Sequence, residues 1–169
     1  MIVLALAALA SATVLAPERT GDHDFFLGVY RSMVDVHGLG VYAEIPNIQS
    51  GPLALVTIGL LDLAGSWTFP VAVALTYIAT LFATWQLPGV RERSTVTWVA
   101  GGAVLLFWWR TFAFHGHLDD AMAVALAVAA TVAAVRHRHH GAGILLGISL
   151  AVKPWTVFLL PLAMSTTGP

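Results

Sequence analysis

Five short clusters in this chain combine residue types that can do chemistry. Asp22-His23-Asp24 sets two carboxylates two residues apart, and in a loop such a pair can bind a divalent cation or supply one general base near neutral pH. His115, His117, Asp119 and Asp120 put two imidazoles and two carboxylates within six residues. They could ligate a metal, although their spacing matches no strong metal motif. Lys153 is the only lysine in the chain and stands at the end of an apolar run, directly before Pro154. An ammonium there could pair with an anionic phosphate, and Arg110 is a second isolated cation of the same kind. The fifth cluster, residues 136–140, reads Arg-His-Arg-His-His.

Each cluster also has a plainer explanation. Asp is a preferred N-cap, so Asp22 and Asp24 could cap a helix starting at Phe25. Asp119 and Asp120 complement the dipole of a helix that begins beside them. Lys153 could snorkel its stem along lipid, and residues 136–140 fit a cytoplasmic anchor. With no Cys in the chain, disulfides, thiolate metal sites and cysteine nucleophiles are excluded. A net charge of −1 offers no basic field for nucleic acid.

These clusters sit between segments that are apolar all round. Only 10% of the 169 residues are charged, against roughly 25% in a soluble domain. The hydrophobic fraction of 58% and a mean hydropathy of +0.82 fit an all-α, polytopic transmembrane bundle forming a single domain over 1–169. Residues 2–16 form a first apolar run. Residues 71–87, 95–109, 121–135 and 141–152 follow as apolar helices, and Gly101-Gly102 suit close packing in the second of these. Residues 52–64 are apolar, broken by Asp62, and too short to cross a hydrocarbon core of about 30 Å comfortably. Residues 17–50 are the one long polar stretch. Phe25, Phe26, Val29, Tyr30, Met33, Val34 and His37 recur there near helical spacing, which predicts an interfacial amphipathic helix ended by Gly38 and Gly40.

Arginine sets the orientation. Arg91 and Arg93, and then Arg136 and Arg138, mark two connections as cytoplasmic. Both fall inside only if 52–64 dips into the outer leaflet without crossing. The acidic loop 17–50, the turn 115–120 and Lys153 then share one external face, beside a re-entrant helix. The chain stops shortly after an apolar run, as a fragment of a longer protein would.

The stretches DFFLGVYRSMVDVHGLGVYAEIP, GPLALV, GHLDDAMAVALAVAA and GAGILLGISLAVKPWTVFLLPLA, in that order, resemble the N-terminal module of the GT-C glycosyltransferases, the GT87 mannosyltransferase-like type in particular. The resemblance covers nearly the whole chain and rests on the order of degenerate motifs. It implies an integral plasma-membrane enzyme, multi-pass, with its active site on the external face. Such an enzyme moves a sugar from a polyprenyl-phosphate donor to a lipid or glycan acceptor among membrane lipids. It implies Asp24 as catalytic aspartate with Asp22 completing a D-x-D-like pair. The external end of the span beginning at His115, with His117, would face the active site, Asp119 and Asp120 would lie near the acceptor or a metal, and Lys153 of the Lys-Pro signature would hold the donor phosphate. The residues after Gly116 depart from the Gly-Gln-x-Asn form of that type, and the later spans of full-length members are missing. A transporter or channel component is the rival from another class, though 71–87, 95–109 and 121–135 carry no charge at mid-depth where an ion path would need one. A third reading is an inactive truncated membrane protein.

Overall fold

A computed structural model describes residues 2–15, 21–65, 67–90, 92–159 and 161. Among these the chain is helical throughout, without strands. α1 is Ile2–Leu15, α2 Gly21–Ser32, α3 Val41–Glu44, α4 Pro52–Ala64, α5 Thr68–Trp85, α6 Thr95–His115, α7 Leu118–Val135 and α8 His139–Val152. α5 and α7, at 18 residues each, are long and apolar enough to cross a membrane. α4 and α8 are apolar but shorter.

α7 is the hub. Its Ala-rich surface lets α8 and α5 approach closely on two sides, and Ala121, Ala123, Ala127, Ala130 and Ala134 are buried there. α7 and α8 run antiparallel, with Ser149 Oγ donating to the Ala123 carbonyl at 3.0 Å and Lys153 reaching back to Asp119. His137 at φ +57° turns the chain between them. α5 also carries α1 and α6. The Tyr77 hydroxyl donates to the Gly102 carbonyl at 2.9 Å and the Trp109 indole N–H to Thr76 Oγ1 at 2.8 Å, giving two buried or half-buried donors the partners that an apolar interior demands. Leu55, Ile58, Tyr77 and Leu118 form the centre of the core.

The helix bounds sharpen several expectations. α6 runs six residues beyond Trp109, which moves Arg110 from a helix end into a helix. α2 begins at Gly21, so Asp22 and Asp24 lie inside its first turn and not ahead of it. The helix predicted from Phe25 to His37 continues from α2 through a π-helical turn at Met33–His37, which closes at Gly38 with φ +52°. Phe26 and Val29 pack into the core while Val34, Val36 and Leu39 stay exposed. Asp62, the charge that interrupts 52–64, faces Arg31 of α2 at 3.6 Å. α2 packs against α4 along that side. Pro17 and Arg19 of the expected external loop, and Arg91 of the first arginine-bearing connection, lie outside the described residues.

Candidate polar site at one end of the bundle

Two close backbone approaches build the site. Gly116, at φ +77°, turns the chain between α6 and α7, and a Cβ there would stand 2.7 Å from the backbone nitrogen of His23. Glycine at this position therefore lets the start of α2 press against the turn. Gly51, immediately before α4, donates its N–H to the Val152 carbonyl at 2.7 Å, and a Cβ on it would fall 2.1 Å from the Ala151 carbonyl oxygen. Pro52 then opens α4 at a position where a missing N–H costs nothing. The consequence is that residue 50, residues 22–23 and the end of α8 all meet the first turn of α7.

α8 ends at Val152. Pro154 cannot continue a helix, so Lys153 takes an extended conformation (φ −145°, ψ 107°) before a 3₁₀ segment over Pro154–Leu159. At this break the Val152 carbonyl accepts from the Gly51 N–H, and the Lys153 carbonyl from both the N–H (3.1 Å) and the hydroxyl (2.8 Å) of Thr156. That bookkeeping matters in a low-dielectric setting, where an open carbonyl is costly.

The extended backbone aims the Lys153 side chain inward. Its ammonium is buried and donates to Asp119 Oδ2 at 2.5 Å, with Asp120 Oδ1 at 3.3 Å. Asp119 is fully buried, and its Oδ2 also accepts from the Ser50 hydroxyl. An ammonium in such a place requires a carboxylate or a phosphate as partner; here two carboxylates serve. Asp120 also accepts from the Trp155 indole N–H at 3.3 Å. The half-exposed His117 is surrounded by acids. Its Nε2 is 3.3 Å from Asp22 Oδ2, and its Nδ1 lies 3.9 Å from Asp119 Oδ1 and 3.7 Å from Asp120 Oδ2. Among the described residues neither His117 Nδ1 nor Asp119 Oδ1 has a hydrogen-bond partner, and both atoms are buried.

Of the residues singled out from sequence, Asp22, His117, Asp119, Asp120 and Lys153 converge. Asp24 does not join them. Two residues apart on a helix lie on nearly opposite faces, so Asp22 turns to His117 while Asp24 is exposed and makes no ion pair among the described residues. Arg110 lies apart as well, lining a cavity of about 210 Å³ with Phe107, Thr111, Phe114 and His115. His115 is exposed, its ring 6.4 Å from that of His117. Ser50 and Trp155 are additional members of the site. The Gly51-Pro52 pair, a helix-start signal, was the only sequence hint of Ser50. His23 is buried edge-on against Phe69, a packing role between two carboxylates that face elsewhere. Beside the cluster the Tyr42 hydroxyl donates to the Ser50 carbonyl at 3.0 Å, and burial raises its pKa above the usual tyrosine value. No family model, no curated protein and no solved structure matches the chain.

Proposed function

We propose that this chain is a polytopic membrane glycosyltransferase that transfers a sugar, mannose-like in class, from a polyprenyl-phosphate donor at the external face of the plasma membrane. The observation that carries the reading is the gathering of acids, an imidazole and a buried ammonium from three distant segments, with the Ser50 hydroxyl from a fourth, at one end of apolar helices. Packing alone does not call for such a cluster. The motif order that resembles the GT-C enzymes runs through the same positions.

In this mechanism Asp24 takes the proton of an acceptor hydroxyl, for which an exposed carboxylate is suited. The hydroxyl oxygen bonds to the anomeric carbon as the bond from that carbon to the phosphate oxygen breaks. The electron pair leaves with the polyprenyl phosphate, and a single displacement inverts the anomeric centre. Cations stabilise that leaving charge in a water-poor site. Arg110, on the exposed flank of α6, meets a phosphate arriving from lipid. Lys153 contributes if Asp120 yields its longer contact while Asp119 keeps the shorter one.

The test is transfer from radiolabelled polyprenyl-phosphate mannose by the detergent-purified chain. Asp24→Asn should retain donor binding and lower transfer by about 10²–10⁴-fold, while Asp35→Asn, on the exposed side of the π-helical turn, should leave it unchanged. Absence of donor binding by the wild-type chain, or equal losses from both substitutions, would overturn the assignment.

A further inference from the structure

The geometry points to a divalent transition-metal site, of the Mn²⁺ or Zn²⁺ class, formed by His117 Nδ1, Asp119 Oδ1 and Asp120 Oδ2. This inference goes beyond sugar transfer and does not rest on it.

One ligand-capable atom from each of the three residues lies within 4.8 Å of the others. His117 Nδ1 is 3.9 Å from Asp119 Oδ1 and 3.7 Å from Asp120 Oδ2. Ligands about 2.1 Å from a tetrahedral ion stand roughly 3.4 Å apart, so these two contacts need only a few tenths of an ångström of closure, and the three side chains supply three of the ion's ligands. The separations are too long for hydrogen bonds and near the edge length of a metal polyhedron. A set of acids at a helix start is by itself ordinary. The distinguishing observation is the orphaned atoms: Asp119 is fully buried, yet among the described residues its Oδ1 has no hydrogen-bond partner and faces the equally unpartnered Nδ1 of His117. Leaving a buried carboxylate oxygen unsatisfied is costly, and a bound cation removes that cost.

The outer contacts fit as well. A ligating histidine usually turns its second nitrogen to a carboxylate, which fixes its tautomer. Asp22 Oδ2 sits 3.3 Å from His117 Nε2 and does this from another helix. Asp119 divides its oxygens in the same manner, with Oδ2 engaged by Ser50 and Lys153 and Oδ1 left toward the ion. Charge agrees. Asp22, Asp119 and Asp120 against Lys153 alone leave two negative charges when His117 is neutral, and one divalent ion cancels them. One imidazole and two carboxylates favour Mn²⁺ or Zn²⁺ over Mg²⁺ or Ca²⁺, which prefer all-oxygen shells. Three protein ligands leave a further coordination position of the ion for water.

Metal-stripped, detergent-purified full chain is titrated with Mn²⁺ while the free ion is followed by electron paramagnetic resonance, and Zn²⁺ or Mg²⁺ is then added in competition. One Mn²⁺ should bind per chain and be displaced by Zn²⁺ but not by equimolar Mg²⁺. His117→Gln and Asp120→Asn should each abolish saturable binding. Asp22→Asn, which touches only the outer face of the imidazole, should weaken it about 10–100-fold. Asp35→Asn should bind as wild type. Asp120 is partly exposed, so its variant should retain helical circular dichroism even if His117→Gln does not. No saturable Mn²⁺ on the folded wild type, or wild-type affinity in Asp120→Asn, would overturn the site and leave a protonated His117 as the ion among the acids. Sugar transfer is read separately: metal binding without transfer removes the proposed function alone, and transfer without metal binding removes this site alone.

Discussion

The two turns at opposite ends of α7 are both rich in histidine and have opposite fates. Before the helix stand His115, His117, Asp119 and Asp120; after it come Arg136, His137, Arg138, His139 and His140. The first turn has a fully buried carboxylate and partners from α2, from the segment ahead of α4 and from the broken end of α8. The second is exposed at every position from 136 to 140, and the side-chain contact found within it is between the rings of His137 and His139 at 6.0 Å. Histidine density therefore does not distinguish a site from an anchor. What does is whether other segments bring complementary groups, and only the first turn has glycines nearby, Gly51 and Gly116, that let two backbones come close enough to do so.

The sharpest contrast is one of sides. α7 rises about 27 Å over 18 residues, so if it crosses the bilayer the two turns face opposite compartments. The chain has no Cys, which gives single-cysteine labelling a clean background. In intact cells an impermeant maleimide should label His115→Cys and should not label His139→Cys or Ser94→Cys until the membrane is opened. Labelling of Ser94→Cys from outside would mean that α4 crosses the membrane and that both arginine-bearing connections face outward.

Next in size is stability. Asp119→Asn leaves the buried Lys153 ammonium without its shorter ionic partner, and breaking a buried pair in this way costs about 3–5 kcal/mol. His139→Ala, at the exposed turn, should leave unfolding in a detergent–SDS titration unchanged. Similar midpoints for the two variants would mean that the ammonium finds water or lipid phosphate as readily as it finds Asp119, and the contrast between the turns would collapse.

How legible all this was in the sequence depends on the range of the interaction. α4 over Pro52–Ala64 and the end of α8 at Val152 follow from local rules, Pro at a helix start and Pro past a helix end, and both were readable. The all-helical, apolar character followed from composition. α6 was read six residues short because Arg110 looked like a boundary; its flanking Trp108, Trp109, Thr111 and Phe112 carry the helix on to His115. Asp22-x-Asp24 read as a converging pair because extended spacing was assumed, and the start of α2 at Gly21 divides the two. Lys153 was recognised as needing an anion, yet nothing local could name Asp119, 34 residues away, over a phosphate. Ser50 escaped notice for the same reason, its partner being 69 residues distant.

The smallest effect concerns the rim of the site. Trp155 follows Pro154 in the 3₁₀ segment and donates its indole N–H to Asp120 Oδ1 at 3.3 Å, the same oxygen that the Lys153 ammonium approaches. A hydrogen bond to a charged group contributes about 1.5–3 kcal/mol when short and desolvated. This one is long, and both residues are partly open to solvent, so Trp155→Phe should lower stability by no more than about 1 kcal/mol while keeping the ring's apolar contacts. It releases one acceptor site on Asp120 without removing charge. If the cluster is organised around the carboxylates of α7, the loss should be additive with any change at residues 136–140, since the two turns share no partner. Combining Trp155→Phe with His139→Ala in the same SDS titration therefore measures whether the turns are independent. A coupling above about 0.5 kcal/mol would show that the exposed turn feels the buried one through α7, and the division drawn between them would have to be replaced by a single unit.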